Sequence, residues 1–153
     1  GPLVEKHREQ VKETVCWNVE QGLVLTGMQL AEAARQRSLL LGRVHRFFQK
    51  YDFLVMPVSQ VPPFDVEQPY IEEVEGVSME TYIDWMQSCY FVTVTGLPAI
   101  SVPFGFTSDG LPVGIQIVGR HHDEWGVLQL AHALEQATGT WRRSPGIAGA
   151  QRG

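Results

Sequence analysis

Ala99-Ile100-Ser101-Val102-Pro103-Phe104-Gly105-Phe106, then Thr107-Ser108-Asp109-Gly110-Leu111, then Pro112-Val113-Gly114-Ile115-Gln116-Ile117-Val118: this stretch decides the fold class. Two runs rich in β-branched and aromatic residues flank an Asp-Gly pair, which signals a hairpin over 99–118, with Pro112 restricting where the second strand starts to pair. Upstream, Phe53, Leu54, Val55 and Met56 end at Pro57. An unbroken apolar run of this kind suits a strand over 52–59, buried on both faces of a sheet. Downstream, Asp123 is placed to cap a helix over 124–138, with Val127, Leu130, Ala131 and Leu134 on one face and Gly139 as its stop. Strands alternating with helical patterns give an α/β class, a mixed β-sheet with helices on its faces.

The remaining segments fill in around that frame. Residues 4–21 read as a mixed-charge helix with a thin apolar side of Val4, Val11 and Val15. Thr26, with Gln29 three residues on, forms the capping-box pattern for a second helix over 27–51. Leu30, Ala33, Leu40, Leu41, Val44, Phe47, Phe48 and Tyr51 make its broad stripe. Residues 60–77 carry three prolines, several acids and no periodicity, so they form a loop long enough to be functional. Ser78 is placed to cap a helix over 79–93 whose apolar residues occupy nearly every face, so it must be buried or line a cavity. Residues 140–153 read as a loosely held tail.

At 153 residues, 44% hydrophobic and 19% charged, the chain has enough material for one globular region with a real core. The formal charge is −5, and no Lys or Arg occurs between Tyr51 and Gly119, so neither a nucleic-acid surface nor a polybasic membrane patch is expected. Trp85 to Ser108 is 24 residues without a formal charge. Pro98 and Pro103 would break a spanning helix there, which makes it buried core with no membrane role. Cys16 and Cys89 stand far apart and in no metal-type spacing, so neither a disulfide scaffold nor a Cys-rich zinc site is expected, and a reducing, cytoplasmic location is. The first twenty residues show no secretory cleavage pattern.

No complete catalytic constellation is visible. Ser101 lacks the flanking glycines of a nucleophile elbow and reads as a strand serine. Only Lys6, Lys12 and Lys50 are present, and Lys50 sits where a cation normally complements a helix terminus. His121, His122, Asp123 and Glu124 are adjacent potential ligands with only His132 beyond them, too sparse for a structural metal site. Gly114 to Gly119 lacks the Lys-Ser/Thr ending of a phosphate loop. Glu72, Glu73 and Glu75 read as a solvated acidic loop.

Three ordered blocks nonetheless carry a resemblance. Tyr51-Asp52-Phe53-Leu54-Val55-Met56-Pro57, Gly96-Leu97-Pro98-Ala99-Ile100-Ser101-Val102-Pro103-Phe104-Gly105, and Gly110-Leu111-Pro112-Val113-Gly114-Ile115-Gln116-Ile117-Val118-Gly119 closely resemble the C-terminal part of amidase signature enzymes. Glu124, Leu128, Ala131 and Glu135 continue it, so that it spans about Val15 to Gly139. The resemblance implies a fragment of the amidase signature fold and hydrolysis of a carboxylic amide, or transfer of its ammonia, by a Ser, cis-Ser, Lys triad with no metal or organic cofactor. The Gly/Ser-rich loop and the lysine of that triad have no counterpart here. The chain is therefore expected to be inactive alone, with no catalytic residue of its own, and to work with the missing N-terminal amidase portion or with a partner chain.

In relatives, the loop after the first block and the helix before the second close over the substrate. Amidotransferase relatives place an acid on that helix to grip the substrate amine, and the alignment puts Met86 there. With Trp85 and Tyr90 beside it, Met86 implies an apolar pocket and an aryl or hydrophobic amide as the small-molecule substrate. Pro57-Val58 stands where the family usually has Pro-Thr. The alternative is a non-catalytic interaction module, or one subunit of a split amidase or amidotransferase. In either case exposed apolar surface and self-association are expected.

Overall fold

The computed structural model describes residues 1–143. The chain divides into two compact units, Gly1–Leu41 and Gly42–Gly153, rather than the single region expected over 1–153. In the first, helix α1 (Pro2–Lys6), a 3-10 turn at Arg8–Gln10 and helix α2 (Glu13–Leu23) replace the continuous helix expected over 4–21. The backbone leaves helical geometry at His7 and again at Val11 and Lys12. Three valines give too narrow an apolar stripe to hold one rod through both points. Arg8 and Glu20 pair at 2.7 Å, both exposed, which is worth little.

Helix α3 (Gly27–Phe48) begins at a true capping box. The Thr26 backbone N–H donates to Gln29 Oε1 at 2.8 Å, and the Gln29 N–H donates to Thr26 Oγ1 at 3.3 Å. On its exposed surface Arg35 grips Glu32 through two hydrogen bonds of 2.7 Å, which hold the Glu32 carboxyl below its ordinary range.

The second unit is organised by a three-stranded antiparallel sheet in the order β1 (Leu54–Pro57), β5 (Pro112–Val118), β4 (Ala99–Phe106). Leu54 and Ala99 both pair with Val118, while Met56 and Ser101 both pair with Gln116. Because side chains alternate along a strand, this register gives the sheet two distinct faces. On one, Ile100, Val102, Ile115 and Ile117 pack with Leu130, Ala131 and Leu134 of helix α6 (Glu124–Thr138) and with Phe53. On the other, Met56 and Val118 pack with Val44, Phe47 and Phe48 from the end of α3, with Val92 of helix α5 (Gln87–Thr95) and with Leu97.

Strand β1 departs from its expected burial on both faces. It pairs only with β5 among the described residues, and Leu54 and Val55 are exposed. Arg120 secures the chain entering it, donating from Nε to the Phe48 carbonyl at 3.1 Å and pairing with Asp52 at 2.5 Å. A carbonyl left open by the end of α3 is thereby satisfied.

The hairpin turns through Thr107–Leu111, where Gly110 takes φ +80, a left-handed conformation that costs glycine little. The β4 strand bulges between Pro103 and Gly105, leaving Phe104 out of the pairing register. Residues 60–77 remain largely irregular, with a two-residue ladder pairing β2 (Glu73–Val74) and β3 (Val77–Ser78). Ser78 therefore lies in a strand and does not cap a helix.

The helix expected over 79–93 is two helices, α4 (Tyr82–Trp85) and α5, with Met86 outside helical geometry between them. Thr81 supplies the cap, its N–H and hydroxyl both donating to Asp84 Oδ2. The side-chain amide of Gln60 donates to the carbonyls of Asp84 and Trp85. Those are carbonyls that a continuous helix would have paired within itself.

Asp123 caps α6, accepting from the Gly126 N–H at 3.0 Å. The tail is held at its start. A 3-10 turn covers Thr140–Arg142, the Thr140 hydroxyl donates to the Phe104 carbonyl at 3.2 Å, and the Arg143 guanidinium lies 4.3 Å from the centre of the Phe106 ring. The rest of the tail lies outside the described residues.

Candidate substrate cleft

Strand β1 finishes and β5 begins at the same end of the sheet, and a cleft of about 750 Å³ opens there. Its floor is Pro57, Val58 and Pro112 to Ile115. One wall is the loop from Ser59 to Phe64, stiffened by Pro62 and Pro63, and Trp85 and the bulged Phe104 complete the lining. Among the described residues no charged side chain lines the cleft.

The loop is attached to the helical break through Gln60, so the hydrogen bonds at that break also tie the wall to α4. Aromatic rings extend that wall. Phe64 meets Trp85 edge to face at 5.4 Å, Trp85 meets Tyr82 at 5.9 Å, and Tyr82 meets Tyr70 at 6.2 Å. The Trp85 indole nitrogen is buried without a hydrogen-bond partner among the described residues.

Of the residues singled out from the sequence, Trp85, Met86 and Tyr90 are all half-buried, and only Trp85 lines this cleft. Met86 occupies the break between α4 and α5, and Tyr90 stacks edge to face on Phe91 at 5.1 Å. Ser101 is exposed on β4, opposite Gln116. Lys50 lies 5.7 Å from the Tyr51 ring centre. The His121 and His122 rings stack at 3.8 Å, while Asp123 is engaged as a helix cap. Among the described residues no group of three or more His, Cys, Asp or Glu side chains could hold a metal ion, and no helix is long and apolar enough to cross a membrane.

Sequence reasoning missed Phe64, Phe104 and Gln60. The bulge that frees Phe104 has one readable sign, Pro103, which cannot donate to a strand ladder. Gln60 has none, because its partners lie more than twenty residues away.

Comparison with known proteins fits this arrangement. The sequence profile of the Amidase family matches residues 4–128. The chain belongs to the amidase family. This amidase chain is 37% identical over 159 aligned positions to a glutamyl-tRNA(Gln) amidotransferase subunit of Brevibacillus brevis, covering 94% of itself and 30% of that protein. Its fold matches a bacterial aryl acylamidase of the amidase signature family with a TM-score of 0.79 at 21% identity, over 89% of this chain and 28% of the other. It also matches 6-aminohexanoate cyclic dimer hydrolase, solved with substrate, with a TM-score of 0.72 at 27% identity, over 91% of this chain and 30% of that one. The amidase chain thus spans less than a third of the length of the relatives it matches.

Proposed function

We propose that this chain forms the C-terminal part of an amidase that hydrolyses an aryl or otherwise apolar carboxylic amide to an acid and an amine or ammonia. The observation that carries the reading is the cleft lined by aromatic rings, prolines and aliphatic side chains with no charged group. Such a surface gains from burying an apolar substituent and penalises a charged one left without a partner. Glutamine carries both an ammonium and a carboxylate, and the cleft offers neither a counter-ion.

Within this reading Trp85 is the principal pocket residue, with Met86 at the helix break beside it and Tyr90 on α5 outside the cleft lining. Met86, standing where amidotransferase relatives keep an acid, removes the grip on a substrate amine. The Ser, cis-Ser, Lys triad comes from polypeptide beyond these residues, or from a partner chain, and the 153-residue chain alone is inactive. A second reading is a component of a multi-chain amidotransferase, favoured by relatives that are named as subunits of such an enzyme.

Steady-state kinetics on the catalytically complete enzyme separate the two. The hydrolase reading expects kcat/KM for acetanilide to exceed that for glutamine by about a hundredfold or more, as a mismatched polar group in an apolar pocket requires. A preference for glutamine would establish the amidotransferase reading instead.

A further inference from the structure

Beside the cleft lies a second, smaller hollow of about 320 Å³ between α5 and the sheet. Its composition is different. Cys89 and Thr93 reach it from α5, Ser101 from β4 and Gln116 from β5. Ser101 and Gln116 are cross-strand partners, so their side chains stand side by side on one face of the sheet. Gln116 is only 6% exposed, the one buried polar side chain of the described core.

Part of the hollow's hydrogen-bonding capacity is unmet. Gln116 Nε2 donates to the Pro57 carbonyl at 3.4 Å and to the Ser88 carbonyl at 3.1 Å. Both amide hydrogens are thus engaged, and its carbonyl oxygen has no partner among the described residues. Cys89 Sγ donates to the Val58 carbonyl at 3.3 Å and the Thr93 hydroxyl to the Cys89 carbonyl at 3.5 Å, so those two donors are also engaged. The Ser101 hydroxyl has no partner among the described residues. A free O–H donor therefore stands next to a free, largely buried carbonyl acceptor, with no cation among the lining residues.

We infer that this hollow recognises a carboxamide group bearing an N–H, whose oxygen accepts from the Ser101 hydroxyl and whose N–H donates to the Gln116 side-chain carbonyl. A carboxylate fits worse: it has no hydrogen for the Gln116 oxygen and meets no positive charge. The two spaces adjoin. Val58 lines both, and a β-carbon on Gly114, in the cleft floor, would lie 3.4 Å from Ser101 Oγ and from Val58 Cγ1. Glycine at 114 keeps the rim between them low, so one molecule can rest its apolar part in the cleft and its amide head in the hollow. Ser101 is a specificity residue in this arrangement. The seating of the ligand's apolar part rests on the apolar-amide reading of the cleft.

The test is NMR titration of the 153-residue chain with benzamide, benzoate and toluene. Benzamide is expected to shift the Gln116 side-chain NH2 and Thr93 amide signals together with those of Phe64 and Trp85, and benzoate to leave the hollow unshifted. Ser101→Ala, at an exposed position without a hydrogen bond, should weaken benzamide about three- to tenfold and leave toluene unchanged, with Ser101→Thr restoring affinity. Equal benzamide affinity in wild type and Ser101→Ala, or equal occupancy of the hollow by benzoate, overturns the inference. If toluene leaves Phe64 and Trp85 unshifted while benzamide still loses affinity in Ser101→Ala, the cleft reading fails and the carboxamide site stands.

Discussion

On the face of the sheet turned toward α6, Ile100, Val102, Ile115 and Ile117 meet Leu130, Ala131 and Leu134; on the opposite face the same strands present Ser101 and Gln116 beside Met56 and Val118. The first face is closed at its centre, where Ile117 is 1% exposed and Val102 3%. The second is packed only in part, at Phe48, Val92 and Val118, and elsewhere leaves a hollow lined with hydrogen-bonding groups. Alternate residues of one hairpin thus separate two tasks. The α6 face supplies stability through apolar burial. The α5 face gives some of that up, since Gln116 places a polar side chain inside the sheet, its two amide hydrogens held by the Pro57 and Ser88 carbonyls and its oxygen left open toward the hollow.

Substitutions can break or sharpen this contrast. The largest effect belongs to Ile117→Ala, which removes a fully buried side chain from the closed face and should cost about 2–5 kcal/mol, read from chemical denaturation. Gly119→Ala comes next. A β-carbon there would sit 2.4 Å from Val127 Cγ2, so the Val127 side chain or α6 must move, at a cost of about 1–3 kcal/mol by the same measurement. Gln116→Leu, on the open face, strips the Pro57 and Ser88 carbonyls of a donor while adding apolar volume, and a net loss of about 1 kcal/mol is expected. Ser101→Ala should change stability by less than about 0.5 kcal/mol. A Ser101→Ala loss as large as that of Ile117→Ala would erase the distinction between the faces.

The α/β class was readable because its signals are local. Asp109-Gly110 sits between two strand-like runs, and the left-handed Gly110 is the conformation such a turn demands. Thr26 with Gln29, and Asp123 ahead of α6, are caps whose partners lie within three residues. What the sequence hides depends on distant partners. At the break at Met86, Gln60 reaches the Asp84 and Trp85 carbonyls, and nothing in the run from Met79 to Thr93 announces it. The exposure of Leu54 and Val55 is hidden for the same reason, since an apolar run does not reveal how many strands flank it. At the site, Trp85 could be named from composition and the family resemblance. Phe64 and Phe104 could not, because a proline-rich loop and a bulge bring them to the cleft.

The central claim is that the uncharged cleft takes apolar amides. Its most direct test follows the Trp85 indole N–H signal of the 153-residue chain during titration with acetanilide and, separately, with glutamine. A saturable shift with acetanilide and none with glutamine at the same concentrations is the predicted result. A saturable shift with glutamine and none with acetanilide would contradict it.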